Sequence, residues 1–248
     1  MSEGSTLGKA LAILDLLEAA DGPISFETLH GALGFTRSTL YRYLKALQDA
    51  GLATSFPDRG FALGPRVAEL DYRMRATDPL IARARPAMAR LVADFPGVAL
   101  LCRLYRDRVL CVHQDGALGE RRSTYERGLA MPLFRGAASR VILAQLPGPA
   151  VTRLRARHAV EFAEAGLGAT PAAVRSALLA IRRRGWDRTE GQVTPGVTGI
   201  AAPVQDATGG VVASLSLTLW RPQIDDAEAQ AIAGRIIAVA RDLGGVRA

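Results

Sequence analysis

Five side chains able to hold anions crowd one short segment: Arg37, Ser38, Tyr41, Arg42 and Lys45. Residues four apart stack on a helix, so Arg37, Tyr41 and Lys45 form one row and Ser38 and Arg42 the row beside it. Leu40, Leu44 and Leu47 recur at i, i+4 and i+7, the spacing of a buried stripe on the opposite side. Guanidiniums, an ammonium and hydroxyls on one face are donors that phosphate oxygens and guanine edges accept. Thr36, Thr39 and Ser25 add hydroxyls at helix starts, where free amides also attract phosphate. The chemistry expected of this face is binding to double-stranded DNA in the major groove.

A charged helix face by itself is more often only solvated. The order of elements around this one is what points to DNA. Leu7, Ala10, Leu11, Leu14 and Leu17 predict an amphipathic helix over 6–20, stopped by Asp21-Gly22-Pro23. Ser25 predicts an N-cap for a short helix over 26–33, and Gly34 breaks it. Thr36 then caps the basic helix, which Gly51 ends. Two extended pieces over 52–63 flank Pro57-Asp58-Arg59-Gly60, a hairpin signal with Arg59 at its tip. Helix, helix, tight turn, basic helix and hairpin make a winged helix-turn-helix, in which Arg59 on the wing reaches a phosphate or the minor groove.

Bulk charge is not the carrier of this reading. The formal net charge is +7, yet residues 1–75 hold 8 Lys or Arg against 9 Asp or Glu. The placement of the cations matters, not their number.

From 64 to 77 the chain reads as a charged linker helix with Val67, Leu70 and Met74 on one side, and 79–94 as another helix closed by Phe95-Pro96-Gly97. Beyond it strands over 98–105, 109–113, 199–204 and 211–220 alternate with helices over 136–146, 151–158, 171–184 and 227–243. The segment 187–196 reads as a loop. This mixture predicts an α+β domain with a mainly antiparallel sheet flanked by helices. Cys102 and Cys111 face each other across a turn at Arg106-Asp107 and read as two buried thiols, since two cysteines make no disulfide scaffold.

Enzyme chemistry finds little support. His30, His113 and His158 are the only histidines and have no metal-ligand spacing. There is no C-x-x-C pair, G-x-S-x-G elbow, Walker loop or G-x-G-x-x-G. No cofactor or metal is expected. No apolar run reaches the length of a membrane span and no signal-peptide pattern opens the chain, so the expectation is a cytoplasmic protein.

Two features suggest a small-molecule pocket. Gly136-Ala137-Ala138-Ser139 opens a helix with small side chains, which lets an acid approach free amides. Ser214, Ser216 and Thr218 alternate with Leu215, Leu217 and Leu219, which puts a row of hydroxyls on one face of a strand. That face is either pocket lining or a solvated sheet surface. Met131 and Phe134 are either apolar pocket walls or core.

Five segments in order resemble the IclR-type regulators: 7–14 (LGKALAIL), 38–47 (STLYRYLKAL), 126–133 (ERGLAMPL), 136–144 (GAASRVILA) and 199–204 (GIAAPV). The resemblance spans essentially the whole chain. It implies a homodimer or homotetramer, a palindromic operator, a GAF-like effector domain, no catalysis, and an effector drawn from small organic acids. It assigns Ala137, Ala138, Thr189, Gly199, Ser216 and Thr218 to the pocket. Two positions depart from the family pattern: Phe134 stands where a histidine is frequent, and Ser139-Arg140 where Gly-Lys is frequent. Phe134 favours an aromatic acid. The expected organisation is a DNA-binding domain over 1–64, a linker helix over 65–77 and an effector domain over 78–248.

Overall fold

The structure is a computed structural model that describes residues 5–116 and 127–245. Glu126, in one of the family-like segments, lies outside the described residues. The chain divides into two compact units, Met1–Thr77 and Asp78–Ala248.

In the first unit the first three helices each begin on a side-chain cap. Ser5 accepts the Gly8 amide at 3.0 Å before α1 (Thr6–Ala19), Ser25 accepts that of Thr28 at 3.1 Å before α2 (Phe26–Leu33), and Thr36 that of Thr39 at 3.3 Å before α3 (Arg37–Asp49). Such a cap contributes about 1 kcal/mol. Gly34 closes α2 with φ +63°, a left-handed turn that glycine adopts without strain. Strands β1 (Ala53–Phe56) and β2 (Gly60–Leu63) pair antiparallel with Phe56 opposite Gly60, which leaves Pro57-Asp58-Arg59 as the tip. Ile24 and Phe61 exchange two backbone hydrogen bonds of 2.8 Å and pin the hairpin to the α1–α2 connection. The core gathers Ile13, Leu17, Leu29, Leu40, Tyr43, Leu44, Leu47 and Ala53. Burying each large aliphatic side chain here is worth about 1.5–3 kcal/mol. Helix α4 (Arg66–Thr77) has no buried residue, and Val67, Leu70 and Met74 are exposed.

The second unit starts on a lock. Asp78 caps α5 (Pro79–Asp94) through the amides of Leu80 and Ile81, and takes the Arg103 guanidinium at 2.6 Å. The sheet that follows is antiparallel throughout, in the order β5-β4-β3-β8-β7-β6. Its strands are β3 (Val98–Tyr105), β4 (Arg108–Gly116), β5 (Ala130–Pro132), β6 (Asp187–Glu190), β7 (Thr198–Gln205) and β8 (Val211–Leu219). Cys102 pairs directly with Cys111 across the strands, both buried and joined by no disulfide.

Helices cover both faces of the sheet. One face packs its odd-numbered β3 and β8 side chains on α5 and α10 (Asp226–Gly244). The other packs on α6 (Ala137–Leu143), α7 (Gly148–Arg157), α8 (Ala159–Glu164) and α9 (Pro171–Arg184). The segment read as a loop over 187–196 thus begins as a strand. Asp187–Glu190 lacks an apolar alternation because it is a short edge strand, fixed by pairing with 198–201 rather than by its own pattern. Helix α8 and strand β5 are likewise too short to announce themselves by periodicity.

Candidate DNA-binding face and effector cavity

On α3 the leucine stripe lies inside and Arg37, Ser38, Tyr41, Arg42 and Lys45 lie outside, all exposed. Ser25, Thr36 and Arg59 are exposed as well, and Thr39 half-buried. The three hydroxyls at the helix starts have local duties. Ser25 shares a 2.8 Å hydrogen bond with the Thr28 hydroxyl besides capping α2, and the Thr36 hydroxyl donates to that of Thr39 at 2.8 Å. Arg59 borders an open groove with Ser25 and Thr28.

Two residues absent from the sequence reading shape this face. Glu27 on α2 takes the Arg37 guanidinium through two hydrogen bonds of 2.8 and 3.0 Å. Phe26 stacks on Tyr41 at 4.2 Å between ring centres and carries Arg37 over its ring at 5.0 Å. The hydrogen bond from Arg37 holds the Glu27 carboxyl below its ordinary value. A contact ten residues apart across a turn leaves no periodic signal. Lys45 pairs with Asp49 at 3.7 Å, an exposed i,i+4 pair worth at most a few tenths of a kcal/mol and easily exchanged for phosphate.

In the second unit one small cavity of about 40 Å³ is lined by Ala137, Ala138, Thr189, Gly199, Ser216 and Thr218, together with Leu100 and the 192–197 segment. A single water needs about 10–15 Å³, so the space suits a group of carboxylate size. The hydroxyl row is not a solvated surface: Ser214 and Ser216 are buried beneath α6. Among the described residues Ser216 Oγ has no hydrogen-bond partner, and neither have the hydroxyls of Ser214 and Ser139. An unpaired buried hydroxyl costs about 1–3 kcal/mol, so Ser216 Oγ is an unused polar group in the cavity wall.

The helix start is held to the sheet by side chains. Thr189 Oγ1 accepts the Ala137 amide at 3.1 Å, and Gln192 Oε1 that of Gly136 at 3.2 Å. One turn on, Arg140 Nε lies 2.7 Å from Asp187, which also meets Arg184 at 2.6 Å. Asp187 is 2% exposed. Burial lifts its carboxyl above the ordinary value against the pull of the two guanidiniums.

Phe134 does not join this cavity. It is 5% exposed, lies against Phe162 and His158, and lines a larger space of about 760 Å³ with Arg108, Arg135 and His158. Met131 lines neither space; it is half-buried against the core. The reason is connectivity. Gly136 turns the chain with φ +78°, so residues before it leave along β5 while those after it form α6. Gln192 borders both spaces, and its Nε2 donates to Ala165 O at 2.9 Å.

Residues 75–244 match the family described as the C-terminal domain of the bacterial transcriptional regulator IclR, and residues 6–55 the IclR helix-turn-helix domain. The chain belongs to the IclR family. A relative from Escherichia coli K12, the HTH-type transcriptional regulator RhmR, is 29% identical over 98% of this chain and 93% of its own length. The fold is shared with an IclR transcriptional regulator from Alicyclobacillus acidocaldarius (TM-score 0.77, 22% identity, 96% of each chain). It is shared also with an IclR homolog from Microbacterium hydrocarbonoxydans crystallised with 4-hydroxybenzoate (TM-score 0.75, 18% identity, 97% of this chain and 98% of that one). This IclR regulator therefore carries a helix-turn-helix head for DNA and an effector-binding domain, and the families it matches are regulators rather than enzymes. No described helix is long and apolar enough to cross a membrane.

Proposed function

We propose that this IclR regulator binds a palindromic operator as a homo-oligomer through α3 and the Arg59 wing, and that a small organic acid bound in the second unit sets its operator affinity. Ser25, Thr36, Ser38 and Thr39 hold phosphates at the helix starts. Arg37, Tyr41, Arg42 and Lys45 supply groove and phosphate contacts. Residues 1–64 form the reading head, 65–77 the linker and 78–248 the sensor. The exposed side of α4, with Val67, Leu70 and Met74, packs on the same helix of a second copy, whose two-fold symmetry a palindrome matches. A protein acting on operator DNA works in the cytoplasm.

The observation that carries the sensing role is Ser216 Oγ, buried, partnerless and in the wall of the small cavity. The acid's carboxylate takes hydrogen bonds there from Ser216 and Thr218. Its ring lies beyond Gln192, over Phe134. That division favours an aromatic acid, and the relative that holds 4-hydroxybenzoate has the same fold. A ligand shifts the operator equilibrium only by its differential affinity for the two arrangements of the heads, so binding and regulation are separately measurable.

The test is a fluorescence-anisotropy titration at fixed salt with an operator selected from random DNA, with and without 4-hydroxybenzoate and a panel of small acids. Wild type binds one inverted repeat, Arg42→Ala loses about 1–3 kcal/mol if it reads a base, and one acid changes affinity at least fivefold. Sequence-independent binding would sink the DNA reading, and operator affinity unmoved by every acid would sink the sensing reading.

A further inference from the structure

A second concavity lies between α6–α7 and α9, apart from the small cavity and sharing no lining residue with it. Its volume is about 570 Å³, within the range of small-molecule sites. Val151 and Leu178, 9% and 7% exposed, form its apolar floor over the buried Leu143 and Val174, and Leu146 and the 45% exposed Leu179 stand at its edge. Arg155, Arg175 and Arg182 stand around it, and no acidic residue lines it.

Their bonding is unusual for three arginines so close together. Arg155 donates to the Ala169 carbonyl, and Arg182 to the carbonyls of Ala144 at 2.7 Å and Leu146 at 3.4 Å. Among the described residues, no carboxylate pairs with any of the three. Arg155 Nε is buried without a hydrogen-bond partner. Carbonyl dipoles orient a guanidinium but leave its full charge uncompensated. Guanidiniums bordering an apolar wall, where the dielectric is reduced, favour a ligand with one anionic end and an apolar body. An ammonium is repelled there, and a neutral chain fills the walls without meeting the charge.

We infer that this cleft binds an amphipathic monocarboxylate, its alkyl or aryl-alkyl chain along Leu146, Val151, Leu178 and Leu179 and its carboxylate among Arg155, Arg175 and Arg182. The site is additional to the small cavity and does not depend on what occupies that cavity.

Isothermal titration of the full chain with octanoate tests this, with octan-1-ol and octylamine as matched probes. Among the described residues nothing bonds the exposed Arg175, so Arg175→Glu reverses one charge without removing a support. Octanoate is expected to bind, to lose at least tenfold in affinity with Arg175→Glu, and to bind Gly199→Ala, altered in the small cavity, as well as wild type. Octan-1-ol binds more weakly and octylamine does not bind. The proposal is overturned by no octanoate binding, by equal binding to Arg175→Glu, or by loss with Gly199→Ala, which moves the acid to the small cavity. It is overturned too if Leu179→Glu breaks a higher oligomer in sedimentation, because a second copy then covers the cleft.

Discussion

Thr189 Oγ1 accepts the amide of Ala137 at 3.1 Å, a bond between an edge strand and the first residue of a helix 52 positions earlier. It fixes the start of α6 over β7 and β8, and so sets the depth of the small cavity. Thr189→Val keeps the shape and removes the acceptor, leaving a buried amide unpaired. Urea unfolding followed in the second unit is expected to show a loss of about 1–3 kcal/mol. An unchanged midpoint would mean that water takes over the bond.

The Arg140–Asp187 pair is the second tie between α6 and β6. Asp187→Leu leaves Arg140 buried with an uncompensated charge and is expected to cost about 3–5 kcal/mol. Arg140→Met combined with Asp187→Leu is expected to recover most of that loss. A double-mutant cycle by chemical denaturation measures the difference, and strict additivity of the two single changes would show that the groups do not interact.

Gly199 faces the small cavity with ordinary backbone angles. A Cβ there would lie 3.6 Å from Thr189 Oγ1 and 3.9 Å from the Ala137 Cβ, ordinary contact distances. Gly199→Ala is therefore expected to fold within about 0.5 kcal/mol of wild type while filling part of about 40 Å³. The acid that shifts the melting temperature of the wild type should no longer do so. Retained binding would place the acid elsewhere.

Glu27 restrains Arg37 on the exposed face of α3 that is proposed to meet DNA. Its carboxyl is lowered in the folded protein by the Arg37 hydrogen bond, so the pair's contribution is complete above the ordinary glutamate value and is lost as the pH falls through the lowered one. An NMR titration should give a Glu27 midpoint below the ordinary value that rises in Arg37→Met. Glu27→Gln removes a negative charge beside the phosphates and frees Arg37. The slope of log K against log salt is expected to steepen by about 0.9, one added phosphate contact. A slope equal to wild type would show that Arg37 keeps its partner or reaches no phosphate.

Leu70 and Met74 are about half exposed on α4, which has no fully buried residue in a single chain. Leu70→Glu is expected to shift sedimentation from dimer to monomer and to weaken operator binding more than half-site binding. A wild-type protein that is monomeric at micromolar concentration would remove this role for α4.

Local chemistry was readable from the chain. Ser25, Thr36 and Gly34 announce the ends of α2 and α3, because caps and left-handed turns depend only on neighbours in sequence. The leucine stripe of α3 named its own outer face. Pro79, the Phe95-Pro96-Gly97 stop and the 171–184 pattern gave α5 and α9 for the same reason. Cys102 and Cys111 met as expected, since a short turn dictates which residues oppose each other.

What the sequence could not supply was decided by contacts between distant residues. It drew 187–196 as a loop, although 187–190 is a strand, because a short edge strand exists only by virtue of its partner. It left Phe134 and Met131 open between pocket wall and core, and the turn at Gly136 takes both away from the small cavity. It left Ser214 and Ser216 open between solvent and pocket, since alternation reveals that two faces differ but not which one a helix will cover. Glu27 on Arg37, Asp187 on Arg140 and the three arginines around the α7–α9 cleft were invisible for one reason: charge is local, but its compensation is tertiary.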